Sequence, residues 1–235
     1  AQGFNSLIHD YIGYLSGKNE IEFITSRISW TNKKPQSSYP FRDEINTITS
    51  ENLIIYLPNN QQIAYPNMYF KKGNSYLIFG PNGVGKSTFI KLLLGINKNF
   101  EGNVLINNFK LMDYAYINKI SYYSNDLNMI EGTIKDNIFL KNYDDVAHSK
   151  TPINKWGLSI DENIIFHQIN LSNGQKQKVL ILRALNKKSD VYIFDEPLSN
   201  LDRHSKEAFL RSINILKRSG KIILVISHEI PDYTF

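Results

Sequence analysis

Gly80-Pro81-Asn82-Gly83-Val84-Gly85-Lys86-Ser87 matches the phosphate-binding pattern G-x-x-x-x-G-K-[ST] at every fixed position. Residues 76–79 ahead of it are apolar and read as a buried strand. Residues 88–94 behind it read as a helix. A strand, a glycine-rich loop and a helix in that order strongly restrict the architecture. The glycines let backbone N–H groups turn inward around phosphate oxygens. The helix N-terminus adds the positive end of its dipole. Lys86 supplies a mobile cation for the outer phosphates, and Ser87 a hydroxyl for Mg²⁺. The loop with Thr88 behind it therefore forms the expected phosphate site, and it implies a nucleotide.

A second apolar strand, residues 191–194, leads into Asp195-Glu196-Pro197. Asp195 closes a buried strand, so its carboxylate is expected beside the loop, holding Mg²⁺ directly or through water. A third apolar run, 222–226, precedes Ser227-His228. Short apolar runs between helical segments are the pattern of parallel, doubly covered strands. Asp202 is placed to cap a helix over 203–218, with Gly220 ending it.

Three further segments set the family. Leu171-Ser172-Asn173-Gly174-Gln175 precedes the Asp195 strand, Ser199-Asn200-Leu201-Asp202 follows it, and Ser227-His228 comes last. In this order, with the phosphate loop, they resemble the ATP-binding cassette (ABC) ATPases over about residues 50–235. The resemblance implies an α/β fold: a P-loop NTPase core, an antiparallel β subdomain and an α-helical subdomain over about 125–176. It makes Tyr56 the aromatic that stacks on adenine. It makes Glu196 the group that polarises the attacking water and His228 the group that contacts the γ-phosphate. Ser172, Gly174 and Gln175 become the signature that meets ATP held by an opposite subunit. ATP and Mg²⁺ are the implied cofactors, and a head-to-tail homodimer or paired nucleotide-binding domain the implied assembly.

Departures from the family pattern are informative. Asn125 stands where a glutamine is expected, so it is the candidate catalytic and Mg²⁺-contacting amide on a shorter arm. Asn173 replaces the second signature glycine. The acidic loop of exporters has no clear match in 163–170. Gly132-Thr133-Ile134-Lys135-Asp136-Asn137-Ile138, however, resembles a stretch typical of exporters. The expected entity is the nucleotide-binding domain of an ABC exporter, hydrolysing MgATP to drive a transmembrane partner, with a peptide as one possible cargo. The alternatives are an importer ATPase, a DNA-maintenance ATPase and a weakened regulatory half. The span from Lys86 to Leu171 has no heptads, which disfavours the DNA-maintenance class.

The remaining chain is less specific. Phe4, Leu7, Ile8, Tyr11, Ile12 and Leu15 follow helical spacing. Residues 1–49 read as an N-terminal helix and linker, either the end of a membrane-domain connection or an ordinary packed helix. Residues 52–57 and 62–70 read as a hairpin joined by Pro58-Asn59-Asn60. Residues 102–106 and 119–123 add strands. There is no cysteine, and the net charge is +5, which suits solvated lysines and implies no specific nucleic acid. No apolar stretch reaches membrane-span length. The expected location is the cytoplasmic face of a membrane, with the domain itself soluble. Cassette domains continue well past the switch histidine, so a fragment or an unusually short member is expected.

Overall fold

The computed structural model describes residues 43–57, 61–111, 114–130, 132–140, 153–159, 163–164 and 171–228. They belong to a unit beginning at Asp43. Residues 1–42 of the expected N-terminal helix and linker, the 58–60 turn and the 165–170 part of the acidic-loop region lie outside the described residues.

Two sheets organise the unit. The first is antiparallel: β1 (Thr47–Tyr56), β2 (Gln62–Ala64), β3 (Met68–Lys71), β5 (Phe100–Ile106) and β6 (Phe109–Lys110). β1 pairs β3 through its first half and β2 through its second, with β5 along its other edge. The strand begins at Thr47, five residues ahead of the expected start at residue 52 and inside the expected N-terminal segment 1–49. Ile48 and Ser50 face inward, then Leu53 and Ile55. A bulge at Glu51/Ile54 shifts the alternation. Asn52 sits there at φ 50°, and Gly102 opposite it at φ 92°, where a Cβ would lie 2.3 Å from the Asn52 carbonyl oxygen. The broken period conceals the first half of the strand from pattern reading. The expected run 62–70 is likewise two strands, separated at Pro66.

The second sheet is parallel, in the order β4 (Ser75–Phe79), β11 (Ile222–Ser227), β10 (Val191–Asp195), β7 (Ile120–Tyr123). Val191–Phe194 and the first five residues of β11 are fully buried, as their unbroken apolar runs require. Helices α1 (Lys86–Leu93), α2 (Ile134–Phe139), α3 (Asn173–Asn186) and α4 (Arg203–Arg218) accompany the sheet. In α4 the Asp202 carboxylate accepts from the Ser205 amide at 2.8 Å, and Gly220 follows at φ 73°. Both terminal signals act as expected.

Among the described residues of 125–176, regular structure is limited to a two-strand pair, β8 (Gly132–Thr133) with β9 (Asn163–Ile164), α2, a 3-10 turn at Ile153–Trp156 and the start of α3. Ile134, Ile138, Phe139 and Trp156 are buried in the same cluster as Val179, Leu182 and Phe209. The exporter-like stretch supplies its own fastening. Thr133 and Asp136 form a capping box at α2. Asn137, wholly buried, accepts from the Ile130 amide and donates to the carbonyls of Ile130 and Thr133. Arg183 of α3 reaches across to the Asn137 side chain and backbone. No helix among the described residues is long and apolar enough to cross a membrane.

Candidate nucleotide-binding site

The loop between β4 and α1 turns through Gly83 at φ 83° and Gly85 at φ 100°. Gly85 needs its lack of a side chain twice over. Its φ is left-handed, and a Cβ there would lie 2.7 Å from the Tyr65 hydroxyl and 2.9 Å from Ile63. α1 begins at Lys86, two residues before the expected start. Gly85 offers no side-chain cap, so the first amides of the helix remain available to an anion. Lys86 Nζ donates to the carbonyls of Gly80 (2.5 Å) and Pro81 (3.0 Å). The cation is thus held across the loop by weak neutral acceptors that phosphate oxygens would outcompete.

A cleft of about 400 Å³ lies over this loop. Asn82, Gly83, Gly85, Lys86, Ser87 and Thr88 line it, with Asn125, Asp195 and Glu196. Three candidate segments far apart in sequence therefore meet. Gly80 is buried and Pro81 and Val84 are exposed; none of the three faces the cleft. Ser87 Oγ donates to Asp195 Oδ2 at 3.2 Å. Burial pushes the Asp195 carboxyl up, Ser87 pulls it down, Glu196 raises it and Lys86 lowers it; the net direction is upward. An added cation would reverse that balance. Among the described residues no cluster of three His, Cys, Asp or Glu forms a ready-made metal site. One hydroxyl and one carboxylate, both hard oxygen donors, fit Mg²⁺, which binds through few protein ligands and takes the rest from phosphates and water.

Glu196 leaves β10 at φ 54°, with its amide donating to the Ile226 carbonyl at 3.1 Å. A left-handed glutamate is strained by about 1–3 kcal/mol. That geometry brings its carboxylate to 2.8 Å from His228 Nδ1 at the end of β11.

The signature lies apart from this cleft. Ser172 caps α3, accepting from the Gln175 amide at 3.2 Å, and Gln175 Oε1 accepts from the Ser172 amide at 2.8 Å. Gly174 packs toward the Asn200 carbonyl, where a Cβ would stand 3.3 Å away. Lys178 pairs with Asp202 at 2.7 Å, and that pair with the Ser205 amide holds the Asp202 carboxyl far below the ordinary range. Ser172, Gly174 and Gln175 do not line the cleft of their own chain.

Two candidates sit differently from their expected roles. Tyr56 does not line the cleft, whereas its neighbour Leu57 does. The Tyr56 hydroxyl turns to Glu101, which holds its pKa up. Asn125 does line the cleft, but its Oδ1 accepts from the Tyr123 hydroxyl at 2.5 Å. Sequence reading missed Ile63, Ser124 and Asp126 on the cleft wall. It also missed Tyr65 beneath it, whose hydroxyl donates to the Gly85 carbonyl at 2.8 Å and whose pKa burial raises to about 12. Asp126 directly follows Asn125 and was the one detectable signal.

The family model described as ABC transporter matches residues 64–199. The chain belongs to the ABC transporter ATP-binding family. It is an ABC-type ATPase domain, and ATP is the ligand its family binds. It is 33% identical over 217 residues to the subtilin transport ATP-binding protein SpaT of Bacillus subtilis, covering 81% of this chain and 34% of that one. It is 29% identical to the zinc import ATP-binding protein ZnuC of Wolbachia pipientis, over 81% of this chain and 78% of that one. A solved bacterial Atm1-family ABC exporter with ATP bound superposes with a TM-score of 0.68 at 20% identity, over 90% of this chain and 40% of that one. The chain spans about a third of the length of SpaT and similar relatives. Relatives named for export and for import both occur.

Proposed function

We propose that this chain is the nucleotide-binding domain of an ABC exporter, hydrolysing MgATP at the cleft above Gly83–Ser87. The observation that carries the reading is the convergence of Lys86, Ser87, Asp195 and Glu196 on that cleft, with His228 bonded to Glu196. The triphosphate lies along the loop amides, and Lys86 exchanges the Gly80 and Pro81 carbonyls for phosphate oxygens. Ser87 and Asp195 would hold Mg²⁺, which would supply positive charge to offset that on the phosphates. Glu196 takes a proton from the water that attacks the γ-phosphorus, and the bond from that phosphorus to the bridging oxygen breaks. ADP and inorganic phosphate leave. His228 holds the Glu196 carboxylate in place.

Ser172, Gly174 and Gln175 lie off their own cleft, so the reading assigns them to the γ-phosphate of a second copy's ATP. The interface is then largely polar phosphate-binding surface, and the chain should be monomeric until nucleotide joins two copies. The exporter assignment draws on residues 132–138 and on similarity to SpaT, which also suggests a peptide cargo. The importer alternative draws on ZnuC, of which this chain matches most of the length. A transmembrane partner follows under either.

The test is ATP turnover with light scattering. The unsubstituted chain should hydrolyse ATP with Mg²⁺, and Lys86→Ala should lose both binding and turnover. Equal turnover in Lys86→Ala would overturn the reading.

A further inference from the structure

Tyr123 ends β7 with its ring wholly buried, 6.3 Å from the Phe194 ring. Its hydroxyl donates to Asn125 Oδ1 at 2.5 Å. Behind it stands Gln177 of α3, only 2% exposed. Gln177 Nε2 donates to the Pro197 carbonyl at 2.9 Å, which identifies that end of the amide as the nitrogen. Burial pushes the Tyr123 phenol up and Gln177 pulls it down. An amide oxygen only accepts, so the phenol is the donor in its bond to Asn125.

This orders the Asn125 amide. Its oxygen is committed to a phenol inside the protein, which makes it a poorer metal ligand. Its Nδ2 donates to no other described residue and is left on the open side of an exposed residue that lines the cleft. We propose that Tyr123 is a positioning residue that presents Asn125 as a hydrogen-bond donor to the phosphate oxygens of the nucleotide. The inference rests on the ATP-binding reading of the cleft. It assigns Asn125 a contact with the nucleotide in place of the metal contact expected from sequence.

The test measures ATP affinity by calorimetry in EDTA, without metal, and then against Mg²⁺ concentration. The variants are Asn125→Asp, Asn125→Ala, Tyr123→Phe and the Tyr123→Phe/Asn125→Ala pair, each checked for folding by circular dichroism. Asn125→Asp keeps an acceptor for Tyr123 but faces phosphate with a carboxylate oxygen. It should lose roughly tenfold or more in metal-free ATP affinity, as expected for losing a hydrogen bond to a charged group. Tyr123→Phe should lose about threefold to tenfold in the otherwise unchanged chain and nothing further in the Asn125→Ala background, because it acts through Asn125. A purely structural role for Tyr123 would cost the same in both backgrounds, and that result would overturn the proposal. So would an Asn125→Asp variant that binds metal-free ATP normally and reaches saturation at lower Mg²⁺, the behaviour of a metal ligand. If the unsubstituted chain binds no ATP, the nucleotide reading falls and this inference with it.

Discussion

Glu196 and His228 face each other at 2.8 Å because they lie one and two residues beyond paired positions at the ends of adjacent parallel strands. Asp195 of β10 pairs in register with Ile226 of β11. The left-handed turn at Glu196 then brings its carboxylate back across the strand ends. A glutamate so placed is oriented before any ligand arrives.

Glu196→Gln removes the base while keeping shape and hydrogen bonding. Turnover should fall by about 10²-fold or more, with ATP affinity little changed. Size-exclusion elution with MgATP should then show a persistent dimer. Turnover equal to that of the unsubstituted chain would remove Glu196 from its assigned role.

Gly85→Ala should damage both fold and binding. A Cβ at φ 100° strains the backbone and meets Tyr65 and Ile63 inside 3 Å. The loss should be about 2–4 kcal/mol from strain and overpacking together. Thermal unfolding reads the stability, and calorimetry reads the expected loss of ATP affinity. Trimming Tyr65 to Phe alongside Gly85→Ala should recover part of the stability by removing the closest atom.

Asn137→Ala tests the exporter-like stretch as a structural fastening. It would strand the Ile130 amide and carbonyl and one Arg183 N–H in a buried setting. A cost of about 2–4 kcal/mol is expected, read as a lower urea midpoint. A change below about 0.5 kcal/mol, the scatter of surface substitutions, would contradict that role.

Asp190 governs acid stability at the far end of the parallel sheet. It bonds Lys221 at 2.9 Å and the Ile45 amide at 3.2 Å, with Lys119 at 3.4 Å. Burial raises its carboxyl, but Lys221, the Ile45 amide and Lys119 together bring it below 3.8. A depressed carboxyl adds stability above its unfolded pKa and loses it as pH falls through the folded value. Lys221 is raised, against the lowering effect of its own burial, chiefly by Asp190. Its share is present below the unfolded lysine value and is lost as pH rises through the folded one. The pair is therefore fully stabilising between about pH 4 and pH 10. Asp190→Asn should cost about 1–2 kcal/mol at pH 7, and the difference should shrink as pH falls below the ordinary carboxylate range and through the folded value. A difference independent of pH would mean the effect is packing, not charge.

Sequence alone determined the parts whose physics is local. The glycines and Lys86 of the loop act within one turn of chain, so their pattern is contiguous. Asp202 caps a helix it directly precedes, and the apolar runs of β10 and β11 announce burial on both faces. The β1 alternation misled because a bulge needs Gly102 on another strand to be possible. Tertiary structure decided everything that depends on pairing. Tyr65 reaches Gly85 only because β2 folds back on β1, with the Tyr65 amide bonding the Leu53 carbonyl. Asn125 has its oxygen turned inward only because β7 sets Tyr123 beside α3 and Gln177. A lone tyrosine or glutamine carries no local signal of such a partner, since the hydrogen bond that gives it a role spans residues that meet only when the sheet is assembled.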